Sequence, residues 1–243
     1  MPKTESLAKK VAIMQPYLFP YLGYFQLINY ADTFVFYDDV NYIKQGWINK
    51  NSIATANGIV SFVVPLSSQS SFTLIKDTHI NKALYNKWKK KSLRMFAQNY
   101  SGAPFLKPVL SLIEECFNNP DTSTISELSI SSVQLVLKYL DIEKDIKISS
   151  DQYSNQHLSK WERVIDICKT EEATEYVNPL GGKELYDKET FAEHNLLLSF
   201  LQKKDIHYTK QKGEFQDNLS IIDVLMWNDK DSVNEFLNQF ELS

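Results

Sequence analysis

The chain has 243 residues, a formal net charge of −4 and a sequence pI of about 5.6. This acidic balance excludes nucleic acid as a predicted partner, because nucleic-acid binding needs a basic face. No apolar run reaches the roughly 18 residues that span a bilayer, and the first residues lack a signal-peptide cleavage site. The composition therefore predicts a cytoplasmic globular protein without a transmembrane segment.

The N-terminal stretch predicts a βαβ unit. "KKVAIMQP" is typical of a short buried strand that ends at Pro16. "YLFPYLG" reads as a loop, and Gly23 frees the backbone where the helix "YFQLINYAD" begins. "TFVFYDD" predicts a second strand that ends in two carboxylates. This order is the signature of a parallel sheet with helices on its faces.

The next segment predicts one further strand. "NYIKQGWINKNSI" is polar and aromatic and contains a glycine, and no regular element is predicted for it. The pair Asn57-Gly58 is a turn signal, and the apolar residues that follow it in "NGIVSFVVPL" indicate a strand.

The middle of the chain predicts helices. In "ALYNKWKKKSLRMFAQNY" the apolar Leu84, Trp88 and Met95 share one predicted face, and the lysine run 87–91 is interpreted as a solvated face. "PFLKPVLSLIEECF" and "TISELSISSVQLVLKYLDI" follow as two more helices. Cys116 and Cys168 lie in separate helical patterns, which predicts buried thiols and no disulfide.

Two helix starts carry a capping-box pair. Thr124 with Glu127 and Ser159 with Glu162 have the S/T-x-x-E spacing in which each side chain bonds the other residue's backbone N–H. The second pair opens the helix "SKWERVIDICK".

The last third predicts a second βαβ unit. The strand "ATEYVNP", a Gly181-Gly182 turn, the helix "KETFAEHN" and the strand "LLLSFLQ" follow in order, and "LSIIDVLMW" ends the chain in a helix. We therefore predict one α/β domain over residues 1–243. It has a mostly parallel sheet with flanking helices and a helical insertion at about 78–142.

Polar residues follow three of the predicted strands. Gln15 follows the first strand, Asp38 and Asp39 follow the second, and Asn178 with the glycine turn follows the strand "TEYV". Ligands of parallel α/β sheets bind outside the carboxyl ends of the strands, so we expect these groups to converge. Neighbouring strand residues point to opposite faces, so one of the two aspartates is predicted to be a cap or turn residue.

Two further segments are candidates for binding and catalysis. "WINKN" offers Trp47 as an apolar platform and the amides of Asn49 and Asn51, or alternatively a loop whose amides bond their own backbone. His207 beside Tyr208 is a candidate acid or base, or alternatively a structural histidine. The four histidines lack metal-site spacing, and no GxSxG, GxGxxG or P-loop motif occurs.

Four stretches together resemble the WbqC-like family. They are "QPYLFPYLGYFQLI", "FVFYDDVNYIKQGWINKNSI", "TEYVNPLGGKELYD" and "GEFQDNLSIIDVLMW", and the resemblance spans about 11–227. It implies a role in surface-polysaccharide (O-antigen) biosynthesis, with transfer of a glycyl or other aminoacyl group to a nucleotide-linked or lipid-linked amino sugar.

The resemblance also implies a set of site residues. By position these are Gln15, Pro16, Gly23, Tyr24, Asp39, Trp47, Asn49, Asn51, Ser220 and Asp223. Lys50 stands where the family usually has arginine, which keeps the charge but loses the planar fork for bidentate bonding.

The layout of the first unit is similar to the start of pantothenate-synthetase-like ligases of the nucleotidyltransferase superfamily. That similarity implies a Rossmann-like arrangement and an acyl-adenylate made from ATP. The His-x-Gly-His pair of those ligases is absent, because Tyr21-Leu22-Gly23-Tyr24 occupies its place. ATP use is therefore left open.

Two functions compete at this point. An acyltransferase would use Asp39 or His207 as base, the amides of Asn49 and Asn51 as oxyanion donors, and Gln15 with Gly23 as the substrate anchor. The alternative is a non-catalytic module that binds a sugar nucleotide or assembles a pathway complex. Either reading places a further group of side chains at the small-molecule site. They are Tyr17, Tyr21, Tyr24, Asp38, Trp47, Asn178, Gly181, Tyr208, Ser220 and Asp223.

Overall fold

The computed structural model describes residues 8–158, 160–208 and 218–243. Its strands are β1 (Lys10–Met14), β2 (Thr33–Phe36), β3 (Lys50–Thr55), β4 (Gly58–Val63), β5 (Asp145–Lys147), β6 (Glu175–Pro179), β7 (Leu197–Lys203) and β8 (Phe240–Leu242). Its α-helices are α1 (Leu22–Tyr30), α2 (Lys82–Asn99), α3 (Leu106–Asn118), α4 (Ile125–Tyr139), α5 (Lys160–Thr170), α6 (Lys188–Ala192), α7 (Ile221–Trp227) and α8 (Lys230–Phe236). Short 3₁₀ helices cover Ile75–Asp77, Ser150–Tyr153 and Leu180–Leu185.

In the described part of the chain, one six-stranded sheet has the order β5-β2-β1-β6-β7-β8. The first five strands in that order are parallel, and β8 runs antiparallel to β7. Renumbered along the chain, the order is the doubly wound 3-2-1-4-5-6, which reverses direction between β1 and β6. Both predicted βαβ units and the mostly parallel α/β sheet are confirmed.

Helices cover both faces of this sheet. Val11 and Ile13 of β1 pack with Val164 of α5 and Phe191 of α6, whereas Ala12 packs in a larger core with α1, α3, α4 and α7. Because the strand is buried on both faces, its sequence is a continuous apolar run without polar alternation. No helix among the described residues is long and apolar enough to cross a membrane.

The segment between β2 and β5 holds α2, α3 and α4, and also a hairpin of β3 and β4. No strand was predicted at 50–55, but these polar residues pair with β4. The predicted helix α2 is confirmed, and Trp88 and Met95 pack against the core as expected, but Leu84 does not. Leu84 is 53% exposed, and α2 instead buries Ser92 and Phe96, the latter against Phe62 of the hairpin.

The predictions for the helix caps and the cysteines had separate outcomes. The capping box of Thr124 and Glu127 is confirmed at the start of α4, whereas the Ser159 pair lies outside the described residues. Both cysteines are buried, as predicted, and burial raises the pKa of the Cys116 thiol to about 12. The sequence analysis missed α8 and the antiparallel β8.

A buried ion pair fixes the end of β2 to α5. The Asp39 carboxylate accepts hydrogen bonds from Arg163, from the Ser150 hydroxyl and, at 3.0 Å, from the Gln156 amide. The Arg163 and Asp39 side chains are only 6% and 0% exposed. The Arg163 Nε also donates to Asn155 at 2.7 Å. Neither charge is therefore left without partners.

Removing one charge of this pair should destabilise the fold strongly. We expect Arg163→Leu to lower the free energy of unfolding by about 3–5 kcal/mol, because it leaves the Asp39 carboxylate buried without its cation. Urea denaturation measures the change. As a control, Lys138→Ala breaks the exposed pair with Glu115 (3.9 Å) and should cost less than about 1 kcal/mol. Equal losses in the two variants would contradict this account.

Candidate functional site

A cavity of about 700 Å³ opens at the carboxyl ends of β1, β2 and β6, at the reversal point of the sheet. Its described lining consists of Ile13, Met14, Gln15, Tyr17, Pro20, Tyr21, Tyr37, Ile43, Trp47, Asn51, Asn178, Pro179, Gly181, Gly182, Leu185, Tyr186 and Asn218. Ligands bind to doubly wound sheets at this point. The volume lies within the range of about 300–1,000 Å³ of small-molecule sites.

The lining is aromatic and polar but uncharged. Among the described residues that form it, none carries a carboxylate, ammonium, guanidinium or imidazole group. The polar atoms come from phenols and amides, and Trp47 adds an indole that is 49% exposed. The Nζ of Lys50 lies 5.5 Å from the centroid of that indole ring.

The tyrosine phenols of the cavity are held in the neutral form. Burial raises the pKa of Tyr17 and of Tyr186. Burial, with the charge of Tyr17 adding to it, raises the pKa of Tyr21 to about 12. Burial also raises the pKa of Tyr37, although the nearby Arg163 guanidinium, 4.8 Å from the ring centroid, opposes this rise. At neutral pH these phenols are therefore hydrogen-bond donors and acceptors without charge.

Asn178 forms the floor of the cavity at the end of β6. It is 5% exposed, its Oδ1 accepts from the Tyr176 hydroxyl at 3.1 Å, and its Nδ2 donates to the Pro179 carbonyl at 3.3 Å. A Cβ on Gly182 would lie 1.8 Å from that Nδ2. A side chain at residue 182 therefore requires the Asn178 amide to move. The Asn178 Nδ2 carries two hydrogens, and its hydrogen bond to Pro179 uses one of them.

The opposite wall is the loop 15–21, and the backbone of one residue holds it. Phe19 has a left-handed backbone (φ 42°), a conformation that costs a bulky residue about 1–3 kcal/mol. Its N–H donates to the Ser132 hydroxyl (2.9 Å), and its carbonyl accepts from Asn51 (2.7 Å) and Ser220 (2.8 Å). Three separate elements, α4, β3 and the start of α7, therefore fix the wall.

The structure brings seven of the predicted site residues to the cavity: Gln15, Tyr17, Tyr21, Trp47, Asn51, Asn178 and Gly181. Of these, Asn51 uses its amide within the protein, since Nδ2 bonds the Leu18 and Phe19 carbonyls and Oδ1 accepts from the Ser52 N–H. Its contribution is to shape the wall.

Several family-motif residues lie one layer behind the cavity. Tyr24 is fully buried, and its hydroxyl donates to the Gln15 carbonyl at 2.9 Å. Asn49 accepts from the Tyr42 hydroxyl at 2.9 Å and donates to the Val64 carbonyl at 3.0 Å. These amide and hydroxyl groups hold the backbone that surrounds the site.

The two aspartates after β2 also lie outside the lining. Asp38 accepts from the hydroxyls of Ser126 (3.0 Å) and Ser149 (2.6 Å), and burial raises its pKa although these two bonds oppose the rise. Asp39 is occupied by Arg163. Each aspartate thus belongs to its own structural network, and Asp39 is not placed to take a proton from a ligand in this cavity.

The C-terminal candidates also lie outside the described lining of the cavity. His207 is exposed and is not part of the described lining. Asp223 is fully buried and accepts from the Tyr100 hydroxyl at 2.8 Å and the Tyr208 hydroxyl at 2.6 Å. Gly23 borders a smaller neighbouring cavity together with Lys203.

Sequence reasoning missed Tyr37 and Tyr186 as site residues. Tyr37 follows the last residue of β2 directly, so the rule that identified Gln15 and Asn178 could have identified it. Tyr186 follows the 3₁₀ helix Leu180–Leu185, and no motif marks it. In the ranges that the structure describes, no cluster of three or more His, Cys, Asp or Glu side chains is placed to hold a metal ion.

Comparison with known proteins identifies relatives but no activity. The model of the WbqC-like protein family matches residues 15–235. An uncharacterized protein of Mycobacterium tuberculosis, Rv1507c, is 30% identical over 219 residues, which cover 89% of this chain and 93% of that protein. No solved structure matches the chain.

The glycine pair provides a matched test of the cavity floor. Gly182→Ala should displace the Asn178 amide from Tyr176 and lower the free energy of unfolding by about 1–3 kcal/mol. Gly181→Ala is the control, because a Cβ there meets nothing within 4 Å. Urea denaturation of both variants measures the difference, and equal stability would contradict the close packing described at residue 182.

The raised phenol pKa values predict a loss of stability at alkaline pH. A group with a raised folded-state pKa supports the fold below its unfolded pKa and loses that support as the pH rises through the folded pKa. For Tyr21 this window runs from the ordinary value of 10.0 to about 12. Urea denaturation across it should show a smaller loss for Tyr21→Phe than for the wild type, and superimposable pH curves would contradict the assignment.

Proposed function

The chain belongs to the WbqC-like family, and from this membership and the cavity geometry we propose that it acts in surface-polysaccharide (O-antigen) biosynthesis. Polysaccharide biosynthesis in general is the role associated with the family. In this proposal the protein binds an amino sugar, linked to a nucleotide or a lipid, and transfers a glycyl or other acyl group to its amine in the cytoplasm.

The observation that carries the proposal is the cavity at the carboxyl ends of β1 and β6, whose described lining is aromatic and uncharged. A sugar ring presents apolar C–H faces between hydroxyl groups. Aromatic rings such as Trp47 and Tyr37 suit those faces, and neutral phenols and amides suit the hydroxyls. A charged lining would instead favour a charged ligand at this point.

The acyl transfer requires two kinds of group. The amine nitrogen bonds to the acyl carbon, a leaving group departs, and negative charge develops on the acyl oxygen. The Asn178 Nδ2 and the neutral phenols are the donors that we assign to that oxygen. We do not retain Asp39 or His207 as base, because neither is part of the described lining. The amine proton passes to the leaving group in this scheme.

We further propose that residues 1–243 act as one α/β domain with the helical insertion at about 78–142. The doubly wound strand order supports kinship with the nucleotidyltransferase superfamily. Under that kinship ATP would activate the acyl group as an adenylate.

A second candidate is a non-catalytic module that binds the same sugar. One observation favours it: the described lining holds no carboxylate, thiol or imidazole that could act as nucleophile or base. The two candidates share the ligand and differ in whether a product forms.

Measurements of binding and of product formation distinguish the two candidate functions. Isothermal titration should detect UDP-glucosamine, and incubation with glycine and ATP should add the mass of one glycyl group to it. UDP-N-acetylglucosamine, whose amine is blocked, is the control and should gain no mass. Binding without product would favour the binding module, and absence of binding to both sugars would overturn the proposal.

Substitutions in the lining test whether the ligand binds in this cavity. Trp47→Ala and Tyr37→Phe should each weaken UDP-glucosamine binding about 2–10-fold, the equivalent of one contact or hydrogen bond. Tyr139→Phe is the matched control, because Tyr139 lies at the end of α4 and is not part of the described lining, and it should leave the affinity unchanged. An equal effect of all three changes would contradict the assigned site.

A further inference from the structure

We propose that α2 is a peripheral docking surface for an anionic lipid bilayer. The proposal concerns a face of the protein that the sugar cavity does not include, and it does not depend on the proposed function. It is based on the charge, exposure and unpaired state of one helix face.

The charge of the chain is distributed unevenly around α2. Residues 78–113 contain seven lysines and arginines and no aspartate or glutamate, although the whole chain has a net charge of −4. Six of these seven basic residues belong to α2 itself. The helix is therefore a strongly cationic surface on an acidic protein.

Four of the cations share one face. Lys87, Lys90, Lys91 and Arg94 are spaced i, i+3, i+4 and i+7, and all four are exposed. The residues that α2 buries, Ser92 and Phe96, point the other way toward the β3–β4 hairpin. We call these four residues the basic stripe.

The described part of the chain offers no counter-charge to the basic stripe. Across the described ranges, no aspartate or glutamate oxygen lies within 4.0 Å of any of its four cationic groups. Lys87 with Lys91 and Lys90 with Arg94 are like charges at i, i+4, which destabilises a helix. An external anionic surface would offset that repulsion.

An apolar side chain continues the same face and favours lipid over nucleic acid. Leu84 lies at i−3 from Lys87 and is 53% exposed, and Trp88 beside it is half-buried. A helix of 18 residues is about 27 Å long, so the whole face can lie flat on a bilayer. Lipid head groups bind cations and the acyl boundary accepts leucine, whereas a phosphate backbone offers nothing to an exposed leucine.

Vesicle co-sedimentation tests the proposal. The full-length protein should bind vesicles of phosphatidylglycerol and phosphatidylcholine, should not bind pure phosphatidylcholine, and should dissociate as the salt concentration rises. Each basic residue strengthens binding to an anionic bilayer about fivefold. Changing all four stripe residues to glutamine should therefore weaken binding by on the order of a hundredfold or more.

A control variant separates the stripe from overall charge. Four exposed lysines elsewhere are changed to glutamine together: Lys138, Lys183, Lys188 and Lys204. This control should bind vesicles with an affinity within about threefold of that of the wild type, because the charges that it removes are not at the docking face. Circular dichroism verifies that both quadruple variants are folded.

Other outcomes would overturn the proposal. Equal loss of binding in the two quadruple variants would mean that only net charge matters. Binding to duplex DNA that depends on the stripe, without binding to vesicles, would assign the face to nucleic acid. Absence of vesicle binding by the wild type would leave an acidic protein as the partner class. Leu84→Ser should weaken vesicle binding severalfold and leave any DNA binding unchanged.

Discussion

The backbone of Phe19 is the constraint on which the cavity depends. It lies at the turn that follows β1, in a left-handed conformation that phenylalanine does not adopt without support. Ser132, Asn51 and Ser220 provide that support with three hydrogen bonds to one N–H and one carbonyl. Because each partner comes from a different element, these hydrogen bonds join α4, β3 and α7 at Phe19. The position of the cavity wall formed by Tyr17 and Tyr21 therefore depends on this residue.

The polar residues around the cavity are arranged in two layers. The inner layer lines the cavity with neutral phenols and amides, and the second layer consists of buried polar groups that bond the backbone or other side chains. Asn49, Ser220 and Asp223 all belong to the second layer, where their side-chain atoms already have protein partners. A buried polar group with all its partners fixes one geometry, which is what a binding site requires of its scaffold.

The sequence was sufficient to predict four of the six strands of the main sheet, but not its edge strands β5 and β8 or the roles of the site residues. β1, β2, β6 and β7 are short apolar runs because both their faces are buried, so the pattern is unambiguous. β3 was missed because its polar side chains serve the Phe19 turn and its pairing partner is a hairpin strand. The strand-end rule located Gln15 and Asn178 correctly at one cavity, but it could not show that Asp39 is neutralised by Arg163, a residue far away in sequence.

The Phe19 turn also has a consequence for how the protein is made. The turn is translated early, but its partners are residues 51, 132 and 220, and β1 itself pairs with β6. On the ribosome, the loop 15–21 therefore lacks part of its anchorage until most of the polypeptide has emerged. A chain that stops before α7 lacks the Ser220 hydrogen bond and has no finished wall. Completion of the cavity thus coincides with completion of the fold.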